Sequence, residues 1–415
     1  MRSTRRPTRR AVPALLAVGL LLTAAACGSS SETDEVADDQ PTGDPVRIGF
    51  FDPSAGGYKS LGVGVGARAA EDYVNTELGG IHERPVELVT CATDGTPETT
   101  ISCANKFAEE KVVAALDGFN TTSSAAVDIL TTAGIPLVGG IPFDSATGAE
   151  VDNRVFFSAP QAAFLIGALQ AFGEQGKKSV TLVAADIPAT HQSVDLVLKP
   201  VGEALGIEVE GLYFSPTNPN FNAIAATIAE SDPDVGGLMA APDPSACTQL
   251  VQGLRQLGYD GTIFTAACTE FIEQAPAEAE GAALYSSHWL PRASEFAPED
   301  VQEELEVAEQ AIGEEGGTAD YYAFAQFAVT VTLAQALNAS PDAGLDGPTI
   351  LKTLKALEGF DSFLGPELSC GGKTTPNCTS QMLLFDVDAQ GATEPATGDW
   401  ITPIPDVMAK IPGAS

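Results

Sequence analysis

Basic residues and histidine are scarce in this chain. Its 415 residues hold 21 Lys and Arg against 56 Asp and Glu, and only three histidines, His82, His191 and His288. The formal charge is −35, and loss of the five arginines Arg2, Arg5, Arg6, Arg9 and Arg10 makes it −40. Such acidity argues against a nucleic-acid partner and against an anionic membrane surface, since both need cationic patches. Cys-x-x-Cys pairs and clustered Cys and His are missing, which removes zinc sites of the usual spacing. A Gly-x-Ser-x-Gly turn is also missing, and a hydrolase of the nucleophile-elbow type needs one. No short repeat of fixed period runs through the chain.

What is present begins with an export signal. The five arginines precede an apolar run from Ala11 to Ala26, which contains Pro13 and stops at Cys27. A bilayer span needs about 20 apolar residues. The shorter run, with small residues before Cys27, predicts a cleaved leader over residues 1–26. Thr23 to Cys27 resembles the lipobox of bacterial lipoprotein precursors, with Ala24 where a bulky aliphatic is usual. The expectation is a lipid on Cys27 that anchors the chain to the outer face of the cell membrane. Ordinary cleavage after Ala26, leaving a thiol, is the alternative. Arg5-Arg6 hints at twin-arginine export, and Pro7-Thr8 departs from that pattern, so the export route stays open.

Setting Cys27 aside leaves Cys91, Cys103, Cys247, Cys268, Cys370 and Cys378. An even number in an exported chain predicts disulfides. The cysteines fall into three sequence-local couples, so Cys91–Cys103, Cys247–Cys268 and Cys370–Cys378 are expected.

Residues 27–45 are rich in Ser, Thr, Asp and Glu with little to bury, and read as a flexible tether. From Val46 onward, short apolar strands alternate with helical periods. Expected strands cover 46–51, 86–91, 112–116, 135–138, 155–158, 180–185, 209–213, 237–241, 262–266, 282–287 and 382–386. Helix-rich sequence fills 298–357. Regular alternation means parallel α/β sheets. One sheet with so many strands would be unusually wide, so two doubly wound lobes are expected.

Several strings then show a resemblance. Ile48-Gly49-Phe50-Phe51, Gly66-Ala67-Arg68-Ala69-Ala70-Glu71 and Asn75 with Gly79-Gly80-Ile81 open the series. Ala104-Asn105-Lys106-Phe107, Ala133-Gly134-Ile135-Pro136, Val155 to Pro160, Leu254-Arg255 with Gly258-Tyr259, and Ala319 to Leu337 continue it. In this order the chain resembles type I periplasmic binding proteins, and within them the leucine/isoleucine/valine-binding branch of ABC-transporter receptors, over Val46 to about Trp400. The resemblance implies an α/β fold of two doubly wound lobes joined by three crossovers, with a ligand clamped between them. Crossovers are expected near Ser158–Pro160, His288–Pro291 and Gly365–Thr379. The first lobe would be 46–158 plus 291–365, the second 159–290 plus 366–403, and 404–415 a tail.

Ligands of open α/β sheets sit beyond the carboxyl ends of the strands. The loop at Asn120, Thr121, Thr122, Ser123 and Ser124 gathers hydroxyls at a helix start, which suits a carboxylate; plain helix capping explains part of it. The resemblance places the ligand's carboxylate there, with Thr122 near the family's serine. Gly140, Ile141 and Pro142 follow the next strand, and Pro142 stands where the family has a threonine. Tyr58 falls near the family's aromatic lid. Asp186, Asp243, Glu270 and His288 would come from the second lobe; Cys268 falls near the acid that holds an ammonium group in the family's amino-acid readers, with Glu270 two residues on. Asp243 before Pro244 is also a helix cap pattern, Asp186 also suits a turn, and packing at the hinge is the alternative for His288.

Gly62-Val63-Gly64-Val65-Gly66-Ala67 imitates the dinucleotide fingerprint, but too many residues separate it from the strand ending at Phe51. These glycines are read as close helix packing. The expected function is an extracytoplasmic solute receptor of an ABC importer, closing by a hinge on a branched-chain amino acid, amide or small carboxylate. Its partners would be that ligand, a membrane permease and the membrane through the lipid anchor, with no nucleic acid, no metal and no cofactor, in a monomeric state. A ligand-sensing subunit on the same fold is the alternative. A secreted hydrolase, with Ser123 and His191 as a pair, is the alternative from another class.

Overall fold

The computed structural model describes residues 41–56, 62–240, 244–318, 320–372 and 374–405. The leader with Cys27, the tether to residue 40, Tyr58, Asp243 and the tail beyond 405 lie outside the described residues. In chain order the first half runs β1 (Val46–Asp52), α1 (Val63–Thr76), β2 (Val86–Ala92), α2 (Pro97–Glu110), β3 (Ala114–Asp117), α3 (Ser124–Ala133), β4 (Leu137–Gly139), α4 (Ser145–Ala149) and β5 (Arg154–Phe156). Next come α5 (Gln161–Glu174), β6 (Ser179–Ala185), α6 (Pro188–Ser193), α7 (Lys199–Leu205), β7 (Glu208–Phe214), α8 (Phe221–Ser231), β8 (Val235–Leu238), α9 (Pro244–Gln256), β9 (Thr262–Phe264), α10 (Phe271–Gln274) and β10 (Ala282–Ser286). The chain then forms α11 (Glu299–Glu314), α12 (Tyr321–Asn338), α13 (Gly347–Lys355), β11 (Leu383–Val387) and β12 (Thr393–Pro395).

Two sheets result. The first is β2-β1-β3-β4-β5, all parallel. The second is β12-β11-β10-β9-β8-β6-β7, parallel from β10 to β7 with an antiparallel β11–β12 edge. Both are wound on two faces, and the strand pleat explains how. Phe50 enters the core shared with α1 and α12, while its neighbour Phe51 points to the opposite core with Phe107 of α2 and Leu130 of α3. In the second sheet Val183 faces α8 and α9, whereas Leu182 faces α5 and α7. The chain passes between the sheets at Phe157–Pro160, at Ser287–Leu290 and after Cys378.

Helix α12 is apolar around its whole circumference, so it belongs inside. Fifteen of its 18 residues are buried. Asp320 starts it by accepting hydrogen bonds from Tyr322 N (2.9 Å) and Ala323 N (3.0 Å). Near its other end His82 Nε2 lies 2.9 Å from Leu337 O, and Asn338 Nδ2 donates to Gly80 O at 2.9 Å. Among the described residues no helix is long and apolar enough to cross a membrane.

The glycines of the false fingerprint have a packing role. A Cβ at Gly66 would lie 2.1 Å from Ala323 O, and one at Gly62 would lie 2.8 Å from Ala323 Cβ. Bare backbone here lets α1 approach α12. Gly66→Ala is therefore expected to force the two helices apart and cost about 1–3 kcal/mol, the usual range for overpacking. Denaturant titration of the unliganded protein measures it; an unchanged midpoint contradicts the packing role.

Disulfides Cys91–Cys103, Cys247–Cys268 and Cys370–Cys378 are all formed. The first ties β2 to α2, and the second ties α9 to the turn after β9. The third closes the loop whose Asn377 bridges alongside Phe156 at the edge of β5. The strand expected over 237–241 occupies 235–238, where a Cβ at Gly237 would lie only 1.9 Å from Phe264 O; residue 241 lies outside the described residues. β12 has no counterpart in the sequence reading. It is a three-residue edge strand, too short for a period-2 signal.

Candidate functional site

The loop from Asp117 to Ser124 follows β3 at its carboxyl end. Asp117 is buried beneath it, and its Oδ1 accepts from Asn120 N (3.1 Å) and Ser123 Oγ (2.9 Å). Thr122 Oγ1 lies 2.7 Å from Thr100 Oγ1, and Asn120 Nδ2 donates to that same Thr100 oxygen at 3.0 Å. Ser124 N donates to Asp144 Oδ2 at 3.1 Å, while Asp144 caps α4 by accepting from Thr147 N and Thr147 Oγ1. This corrects the picture of four hydroxyls offered to a ligand. The hydroxyls of Thr122 and Ser123 are spent inside the loop, and a protein carboxylate already meets the start of α3. Thr121, half-buried at the turn, makes no hydrogen bond with the described residues.

Burial, with Asp144 nearby, pushes the Asp117 carboxyl up from 3.8 to about 7, against the opposing pull of Ser123 and Asn120. The folded state therefore binds this proton more tightly than the unfolded chain does. The stability it contributes is fully present below the unfolded value and is lost as pH rises through about 7. Glu304, raised by burial from 4.5 to about 7, acts in the same direction. Asp117→Asn is expected to reduce, but not abolish, the fall in stability between pH 4 and pH 7. Denaturant midpoints across that range measure the slope, and an identical slope in the variant contradicts the assignment.

Gly140, Ile141 and Pro142 follow β4, and all three are buried. Pro142 has no N–H to offer a ligand. Beside them an aromatic wall forms. Phe119, held at φ 59°, packs edge-on against Phe143 (centroids 5.4 Å apart) and Tyr322 of α12 (5.2 Å). An aromatic residue in the left-handed region is uncommon; here the wall holds it.

The second sheet contributes three candidates at the carboxyl ends of its strands. Glu270 follows β9 beside the Cys247–Cys268 bridge, half-buried, its Oε2 accepting from Thr269 N at 3.2 Å. Burial raises its proton affinity, and Asp320 from the start of α12 adds to the rise. Asp186 follows β6 and is engaged elsewhere: its Oδ1 lies 2.8 Å from His191 Nε2, and the His191 ring stacks on Tyr213 at 3.7 Å. Ser123 and His191 thus belong to separate networks. His288, in the second connection, is buried, with Nδ1 3.1 Å from Ser287 Oγ, itself 3.1 Å from Tyr321 OH. Burial alone lowers its pKa to about 3, so the ring is neutral. Its Nε2 has no partner among the described residues. A cavity of about 20 Å³ beside it is bounded by Gly140, Ser158, Ser287 and Thr332, large enough for one water-sized group.

Asn120 to Ser123, Gly140 to Pro142, Glu270 and His288 therefore all stand at strand carboxyl ends, as the topology requires. Sequence reading missed Phe119, Phe143, Asp144 and the Asp320-Tyr321-Tyr322 start of α12. Asp before a long apolar helix was a visible cap signal; which ring faces the site was not visible.

The sequence profile described as periplasmic binding protein matches residues 45–392. Among solved structures, a leucine-binding protein LivK from Thermotoga maritima is 18% identical, with 86% of this chain and 99% of that one covered and a TM-score of 0.67. The branched-chain amino acid transporter substrate-binding protein LivJ from Streptococcus pneumoniae, in complex with isoleucine, is 16% identical, with coverages of 85% and 99% and a TM-score of 0.66. A fatty acid ABC transporter substrate-binding protein from Thermomonospora curvata is 15% identical, with coverages of 91% and 97% and a TM-score of 0.68. No curated protein matches the sequence. The profile match over most of the chain, on two doubly wound lobes joined by three connections, shows that this chain belongs to the periplasmic binding protein family and has its type I fold.

Proposed function

We propose that this protein is the extracytoplasmic receptor of an ABC importer, anchored by lipid on Cys27, which closes its two lobes over a small polar molecule. One observation carries the reading of the ligand. Glu270 is a half-buried carboxylate on the second lobe that pairs with no cation among the described residues, burial disfavours its charge, and Asp320 of the first lobe adds negative potential. An ammonium or amide donor between the lobes would relieve both, and relief available only in the closed state is what drives closure. The wall of Phe119, Phe143 and Tyr322 suits an apolar body. Pro142 and the inward-turned hydroxyls leave Thr121 as the group for a carboxylate, so molecules bearing an amine or amide rank above simple carboxylates. A leucine-type amino acid or aliphatic amide meets these demands. The neutral His288 would complete the site by reading a polar group at the hinge.

A thermal-shift series tests this, since a ligand that prefers the native state raises apparent stability. Leucine, isoleucine, valine or an aliphatic amide is expected to raise the melting point at millimolar concentration. A rise with acetate and butyrate alone overturns the ligand reading. Mass analysis of membrane-extracted protein tests the anchor: a chain starting at Cys27 without acyl mass overturns it.

A further inference from the structure

Arg154 and Lys355 meet at the amino end of β5, the opposite end from Ser158 and the cleft. With Val151, Val155, Thr375 and Pro376 they line a cavity of about 80 Å³. No acidic side chain is among the described residues that line it. Arg154 is 4% exposed. Its Nε donates to Asp152 O (3.0 Å), and its Nη1 to Ala146 O (3.0 Å) and Thr147 O (2.9 Å). The carboxylate near its Nη2 is Glu150, 3.6 Å away, beyond hydrogen-bonding distance, on a side chain that is 73% exposed. Lys355 Nζ donates to Val151 O at 2.6 Å. Guanidinium and ammonium carry more hydrogens than these bonds use. Nη2 and the remaining Nζ hydrogens have no acceptor at bonding distance among the described residues.

Carbonyl groups satisfy part of each cation's donor capacity, and among the described residues the one ion-pair partner of Arg154 is the exposed carboxylate of Glu150. Buried Arg154 and half-buried Lys355 thus place two like charges on one cavity in a chain of net charge −35, and an anion between them would relieve their repulsion. The cavity wall is also built firmly. Phe156 N donates to Pro376 O and Cys378 N to Phe156 O, both at 2.8 Å, and the Cys370–Cys378 bridge closes that segment. We propose that this cavity is a second site, separate from the cleft, which binds a small oxyanion such as phosphate or sulfate between Arg154 Nη2 and Lys355 Nζ. Charge-assisted bonds to both groups would fix its orientation.

Calorimetric titration of the full-length folded protein with sodium phosphate, in chloride buffer of matched ionic strength, tests the site. Saturable binding of one phosphate per chain is expected, with affinity about tenfold weaker in Lys355→Met, the loss of one charged hydrogen bond. Glu150→Gln, which removes the competing exposed carboxylate, is expected to bind phosphate more tightly. This variant keeps the test open should Lys355→Met fail to fold. Phosphate heat no larger than that of added chloride marks charge screening alone and overturns the proposal. So does equal phosphate affinity in Lys355→Met, or unchanged or weaker affinity in Glu150→Gln. None of these readouts involves the cleft ligand, so the two assignments stand or fall separately.

Discussion

Glu270→Gln is expected to weaken binding of an amine-bearing ligand by about thirtyfold or more, while the melting point of the unliganded protein holds or rises. The first half follows from removing one partner of a desolvated charge pair, which costs roughly 2–5 kcal/mol, with every 1.4 kcal/mol worth about tenfold in affinity. The second half concerns the protein measured without ligand. Without a cation, burial and Asp320 penalise the Glu270 charge, and the isosteric amide removes that penalty. Under the proposed function, Glu270 would trade stability of the unliganded fold for ligand affinity. Calorimetry with the ligand found by thermal shift, together with melting of the same variant, checks both halves. Unaltered affinity removes Glu270 from the site.

Phe327→Ala is expected to cost about 3–5 kcal/mol, the range for deleting a fully buried aromatic side chain. Phe327 is fully buried on α12, with its ring 5.6 Å from Tyr73 of α1 and 5.5 Å from Phe363. It joins three segments distant in sequence, so relaxation of any one cannot fill the hole. The start of α12, capped by Asp320, also carries Tyr322. A lowered midpoint in guanidinium, with reduced ligand affinity through loosened α12, is the expected pair of results. A change below about 1 kcal/mol would mean that the site collapses around the smaller residue.

Much of the architecture was legible because parallel α/β sheets write their periods plainly. Val46–Asp52, Val86–Ala92 and Ser179–Ala185 are apolar runs between helical periods, and each became a strand within a residue or two. The local cysteine couples, 12, 21 and 8 positions apart, paired as expected. The glycines of 62–66 were rightly separated from a dinucleotide loop by their distance from β1, although their neighbour, Ala323, lies more than 250 positions away in the chain.

The site was legible only as a set of loops. Sequence by itself determined the two-lobed α/β plan, the strand ends that border the cleft, the acidic balance and the expectation of export, because these depend on local pattern and composition. Tertiary structure decided what each polar group does. Thr122 and Ser123 looked like ligand hydroxyls, yet Thr100 and Asp117 claim them. Asp144 meets the start of α3 from the next loop, and Asp320 approaches Glu270 from the other lobe. Arg154 and Lys355, some two hundred positions apart, came to share one cavity. Hydrogen-bond partners and the burial that shifts a proton's affinity are properties of three-dimensional neighbours, and non-local packing sets them, whereas strand and helix periods are carried by residues adjacent in the chain.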